Sequence, residues 1–206
     1  MKITMRNSVW ETNSSSVHAI AIPKKNINLD GTENFGSFVY FNHGEFGWEH
    51  AMYGGVDSKA SYLYQAIFEC KCSYISPVKY QQYKKQAMTD EEFKKYKESV
   101  KKFNKEQKEF TNILNWIYET LANHGVEAVF DTDDYDEEGW RNGYIDHGYE
   151  VSPLLDYVLY NEKHLMTYLF GNTEICTSND NSDMDELDEF IKDHPEKDYK
   201  IIVKGN

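Results

Sequence analysis

Between Thr89 and Gly125 the chain carries the pattern that most constrains its fold. Thr89 and Glu92 have the form of a capping box, in which the two residues satisfy each other's backbone N–H groups at a helix start. Phe93, Tyr96, Val100, Phe103, Gln107, Phe110, Leu114, Ile117 and Leu121 then recur at alternating steps of three and four. That is the a/d repeat of a helix with one seam, polar only at Gln107. Gly125 supplies a C-terminal stop. The spacing predicts one helix over about 90–123, about 50 Å long at 1.5 Å per residue. Its second half, with Ile113, Leu114, Trp116, Ile117, Tyr118 and Leu121, has the wide apolar face of a core helix. Its first half is Lys-rich with a thin seam, which suits an arm spanning residues 78–112. Such an arm would pair with a helix containing Tyr80–Ala87 or with a second copy in a homodimer. A helix folded wholly onto its own domain fits the pattern nearly as well.

The remaining elements are short. Strands are expected at Lys2–Arg6, Val17–Ile22 (ended by Pro23), Phe38–Phe41, Val126–Asp131, Gly143–His147, Glu174–Thr177 and Tyr199–Val203. Helices are expected after Asp57 or Ser58, with Ala60, Leu63, Tyr64, Ile67 and Phe68 on one face, and after Ser152 and Asn161, with a last one at Met184–Asp193. Residues 43–55 resist assignment. Helices and strands do not alternate strictly, so the 206 residues read as one α+β domain, with a single mixed or antiparallel sheet and packed helices.

Charge narrows the function classes. Twenty-two Lys and Arg face 35 Asp and Glu, a net charge of −13, which excludes a general nucleic-acid coat protein. The charge is segregated. Residues 79–108 carry ten Lys against five acids, whereas residues 127–150 hold nine acids and one Arg, and residues 178–198 nine acids and two Lys. Such a chain meets charged partners in one orientation. Asp133, Asp134, Asp136, Glu137 and Glu138 are the expected contacts to a basic channel, and Lys94, Lys95, Lys101 and Lys102 to RNA or an acidic surface. Solvated faces account for the pattern about equally well. No apolar run approaches a membrane span, the opening residues lack a signal-peptide core, and three cysteines make no disulfide framework. The expected location is a reducing cytosol.

The densest polar stretch runs from Arg6 to His18. Phosphate chemistry there would use Arg6 as a fork on the anion, Glu11 and His18 for proton transfer, and Ser14 as a hydroxyl. Asn and Ser also build plain turns, which explains the stretch at least as well. Strand alternation sets His18 on the face of Ile20 and Ile22. If that face is the core, His18 is a packed imidazole rather than a base. Asp146 and His147 are the second candidate pair, and with Gly143 and Gly148 around them a turn can aim either one inward. Metal patterns are poor: Cys70-x-Cys72 lacks a second pair, the acids at 131–136 miss an EF-hand's Gly, and His43, His50, Glu45 and Glu49 are a weak set. No phosphate loop or hydrolase elbow occurs. Neither metal nor cofactor is expected.

Arg6-x-x-Val9-Trp10-Glu11-Thr12-Asn13-Ser14-Ser15-Ser16-x-His18, Tyr144-Ile145-Asp146-His147-Gly148 and Thr177-Ser178-Asn179-Asp180-Asn181 resemble signatures of a group of proteins from phages and mobile elements of Gram-positive bacteria. The group's aromatic after Val is Phe; here it is Trp10. The resemblance covers three short stretches and says little about residues 56–125. It implies a phage protein of the host-cell cytosol, and through some members an anti-CRISPR protein that acts on Cas9 and its guide RNA, with guide-RNA truncation in certain cases. The leading expectation is therefore an inhibitor of a nucleic-acid-targeting defence complex. An enzyme acting on RNA or a nucleotide through Arg6, Glu11, Ser14 and His18 is the alternative, and a regulatory protein of another kind the third.

Overall fold

The computed structural model describes residues 4–6, 9–11, 16–31, 34–47, 50–85, 87–146, 151–179 and 185–204. β1 (Thr4–Arg6) and β2 (Val9–Glu11) pair antiparallel. β3 (Ser16–Pro23) is flanked by β10 (Tyr199–Lys204) and β9 (Glu174–Asn179), and β6 (Ala51–Tyr53) adds to β9, giving an antiparallel sheet in the order β10-β3-β9-β6. Two parallel pairs stand apart: β4 (Phe38–Phe41) with β7 (Glu127–Phe130), and β5 (Glu45–Phe46) with β8 (Tyr144–Ile145). The class is α+β with one long helix. Where one sheet was expected, the described strands form a four-stranded antiparallel sheet and three separate pairs. Parallel partners need a long crossover, and the helical stretch from 56 to 122 supplies it for both.

That stretch begins with α1 (Val56–Lys71), a core helix. Besides Ala60, Leu63, Tyr64, Ile67 and Phe68 it buries Tyr62, Gln65 and Ala66. Its N-cap is Gly55 rather than Asp57 or Ser58. Asp57 instead accepts the Tyr40 N–H at 3.5 Å, tying the helix start to β4. α2 (Pro77–Lys84) is capped by Ser76 and packs on the next helix. α3 (Asp90–Ala122) runs unbroken for 33 residues, and both halves of its capping box form. From Phe110 onward it buries Phe110, Ile113, Ile117 and Leu121 in the core. From residue 90 to 109 no residue is fully buried. Phe103 meets the Tyr135 ring at 5.6 Å, and the Lys79 ammonium donates to the Tyr135 carbonyl at 2.6 Å. Within residues 78–112 α2 thus packs on α3, and Gln81 shares a hollow with Phe93 and Tyr96 near the start of α3, while the lysines of that half stay exposed.

The central sheet is covered on both faces. Ile20 and Ile22 join the main core with α4 (Ser152–Val158) and α5 (Glu162–Phe170). Val17, Ala19, Ala21 and Cys176 meet Leu187 and Phe190 of α6 (Asp185–Asp193). Among the described residues no helix is long and apolar enough to cross a membrane.

Candidate functional site

His18 lies in the central sheet, opposite Thr177 of β9 and Lys204 of β10. It faces the side of Ile20 and Ile22 and is fully buried. Its Nδ1 and the Tyr62 hydroxyl are 2.9 Å apart. Burial raises the Tyr62 hydroxyl pKa, so the group stays protonated and can donate to Nδ1. On the other side of the ring, Gly47 turns with φ +122°, and a Cβ built there would stand 2.7 Å from His18 Nε2 and 2.8 Å from Asp146 Cβ. β5 and β8 set that geometry: the Asp146 N–H donates to the Phe46 carbonyl at 2.8 Å. The strand positions from 16 to 18, 144 to 146 and 177 to 179 therefore converge on one spot, around buried His18, Thr177 and Ser178.

Of the expected catalytic set, the structure brings His18 and Asp146 together. Arg6 and Glu11 sit in the β1–β2 hairpin, but their side chains lie outside the described residues, as do Ser14 and His147. The His18 imidazole has no solvent exposure and is backed by Gly47. His18 is a packed, hydrogen-bonded residue of the sheet, as its alternation with Ile20 and Ile22 implies.

A second polar cluster was not anticipated. Tyr64, Gln65 and Glu69 of α1 meet His43 and the segment 131–145. The Tyr64 hydroxyl donates to Asp134 Oδ1 at 3.0 Å, which also lies 3.4 Å from His43 Nε2. His43 Nδ1 is 3.0 Å from Gln65 Oε1. Glu69 Oε1 accepts the Ile145 N–H at 2.6 Å and pairs with Arg141 Nη2 at 3.5 Å. Burial, and then the Asp134 charge, push the Tyr64 hydroxyl pKa up. Asp134 is accordingly not a free surface charge. It turns inward because Tyr64 and His43 supply the partners that a half-buried carboxylate needs. Asp133, Asp136, Glu137 and Glu138 stay exposed, with Asp136 bracing the turn by accepting the Trp140 N–H at 2.8 Å. Of the four lysines expected to bind, Lys95 pairs with Glu91 at 2.8 Å and Lys102 with Glu106 at 3.4 Å, so Lys94 and Lys101 are the two without an ion pair among the described residues.

The opposite end of the sheet borders a groove of about 1010 Å³, lined in part by Asn26, Asn28, Phe35, Phe170 and Asn172. None of the described residues expected to act lines it. Beside it Lys59 is buried and donates to the Gly171 carbonyl at 2.9 Å. Burial pushes its ammonium pKa down to about 8, against the pull of Glu174. The unfolded chain therefore holds this proton more tightly than the folded one. Between pH 8 and about 10.5 the residue's contribution to stability rises with pH. Urea unfolding of wild type and Lys59→Met at pH 7 and pH 9.5 is expected to show the wild type gaining on the variant at the higher pH. An unchanged difference would mean the ammonium is not desolvated. Burial raises the pKa values of the tyrosines and cysteines, so they lose their protons in this range only in the unfolded chain, and that contribution cancels in the comparison.

Among the described residues no group of three His, Cys, Asp or Glu is disposed to hold a metal ion. No family model, curated protein or solved structure matches this chain.

Proposed function

We propose that this chain is a binding protein rather than an enzyme, an inhibitor that docks on a bacterial nucleic-acid-targeting defence complex, with guide-loaded Cas9 its specific partner. The observation that carries the reading is the carboxylate rim at 133–138. Asp133, Asp136, Glu137 and Glu138 project from one turn. That turn is fixed from beneath by Asp134 on Tyr64, by the Tyr135 hydroxyl on the Ser73 carbonyl at 2.9 Å, and by Asp136 on Trp140. A preorganised set of like charges loses little entropy on docking and steers itself into a basic channel. The three stretches that resemble phage proteins supply the defence setting. Burial of His18 weighs against catalysis through it.

The test is association with guide-loaded Cas9 followed in real time across a salt series. Reversing Asp133, Asp136, Glu137 and Glu138 together is expected to slow association about tenfold or more at low salt, with less effect on dissociation. Association insensitive to both salt and charge reversal would remove the reading. The convergence of His18 with Asp146 favours a second reading, a partner-dependent ribonuclease. Guide RNA recovered from the same mixtures separates the two. Intact RNA with inhibition retained belongs to a pure binder, and truncation that disappears in Asp146→Asn belongs to the enzyme.

A further inference from the structure

We infer that the exposed half of α3 is a binding edge for single-stranded nucleic acid. The inference deepens the docking reading and rests on it for the biological setting, but the site is argued from the arm itself. At 100° per residue Lys94, Lys97, Lys101 and Lys108 fall within about 60° of one another around the helix and span about 21 Å along it. All four are exposed. Three carboxylates of this half pair with other lysines: Glu91 with Lys95, Glu106 with Lys102 and Glu109 with Lys105, all one turn apart. No described carboxylate forms an ion pair with any of the four. What remains is a single file of cations without a direct ion pair among the described residues, flanked by the exposed carboxylate of Glu98 and continued by exposed Asn112 and Asn115 on the same side.

The file borders aromatic rings. Phe93 keeps 47 % of its surface exposed, its ring stacks at 6.4 Å on Tyr96, and Lys97 stands 4.4 Å over it. A hollow of about 330 Å³ opens beside Phe93 and Tyr96. Tyr83 of α2, 49 % exposed, lies under Lys84 at 5.7 Å. Cations in line with open rings are what a single strand requires: ammoniums along the phosphates and π-faces for unstacked bases. A duplex hides its bases and would leave the rings unused. An acidic protein would need an apolar centre to its interface, and the lysine file has none. The body, net acidic, repels a polyanion and so confines the strand to the arm.

The full chain is titrated into labelled single-stranded RNA, single-stranded DNA of the same sequence, and RNA duplex, over a salt series without any partner protein. Four phosphate contacts give a slope of log K against log salt near −3, about a fifty-fold loss between 50 and 200 mM. The variant with Lys94, Lys97, Lys101 and Lys108 all changed to Gln is expected to lose binding. The Lys95→Gln/Lys102→Gln variant is expected to retain it, and Glu98→Gln, which removes the exposed carboxylate beside the file, to tighten it. Phe93→Ala should weaken both single strands alike. Preference for duplex, preference for polyglutamate over RNA, no binding at low salt, or equal losses in the two lysine variants would each overturn the inference. Since no partner is present, its failure leaves the Cas9 test standing, and failure of that test leaves strand binding by the arm intact.

Discussion

Glu69→Ala is expected to lower the free energy of unfolding by about 3–5 kcal/mol, the range for breaking one side of a buried ion pair. The Glu69 carboxylate is 4 % exposed and the Arg141 side chain 11 %. Removing the carboxylate leaves a desolvated guanidinium whose Nε has no hydrogen-bond partner among the described residues. It also takes the acceptor from the Ile145 N–H, which holds β8 against α1. Urea unfolding read by fluorescence measures the loss. Glu91→Ala, which removes the exposed pair with Lys95, is expected to change stability by less than about 0.5 kcal/mol. The double replacement Glu69→Met/Arg141→Met should recover part of the loss, since it leaves no lone buried charge. A loss under about 1 kcal/mol for Glu69→Ala would mean that water reaches the pair.

Gly47→Ala is the second large effect, about 2–4 kcal/mol. At φ +122° an L-residue is strained, and the added methyl would press on His18 Nε2 and the Asp146 side chain at under 3 Å. Neither neighbour has room to give, because His18 is fixed by Tyr62 and Asp146 by its backbone bond to Phe46. Gly31→Ala serves as a control. Gly31 also has positive φ, +83°, but nothing lies within 4 Å of its Cβ position, so only the backbone cost of about 1 kcal/mol remains. Equal losses at the two glycines would show that the His18 environment yields, and would reopen it to a ligand.

What could be read in the sequence follows from the range of the forces involved. The long helix was legible end to end because its cap, seam and stop are all local. The side of His18 was legible because strand alternation leaves two choices and the bulk of Ile20 and Ile22 decides between them. The Glu69 cluster was not legible. Gln65 and Glu69 stand one turn apart and read as an ordinary polar pair, and only the return of residues 134–145 buries them. Asp134 looks like its acidic neighbours, and nothing in the run marks it as the one that turns toward Tyr64. The parallel pairs β4–β7 and β5–β8 depend on partners far apart in the chain, set by how α1 and α3 pack between them. Of the functional expectations, spacing located the exposed carboxylate rim, but not which lysines of the arm were already compensated.

The order of strands in the central sheet also has a consequence in time. β3 pairs on one side with β9 and on the other with β10, and about 150 residues separate Pro23 from Glu174. At roughly 5–20 residues per second, translation of that interval takes roughly 8–30 s. α3 needs no distant partner and forms within microseconds of leaving the ribosome. Val17, Ala19, Ile20 and Ile22 meanwhile wait with both hydrogen-bonding edges of their strand open and neither face covered. An open apolar strand is a template for other chains. The nascent protein is thus expected to be most prone to aggregation in the roughly 8–30 s before residues 174–204 arrive to close both edges of β3.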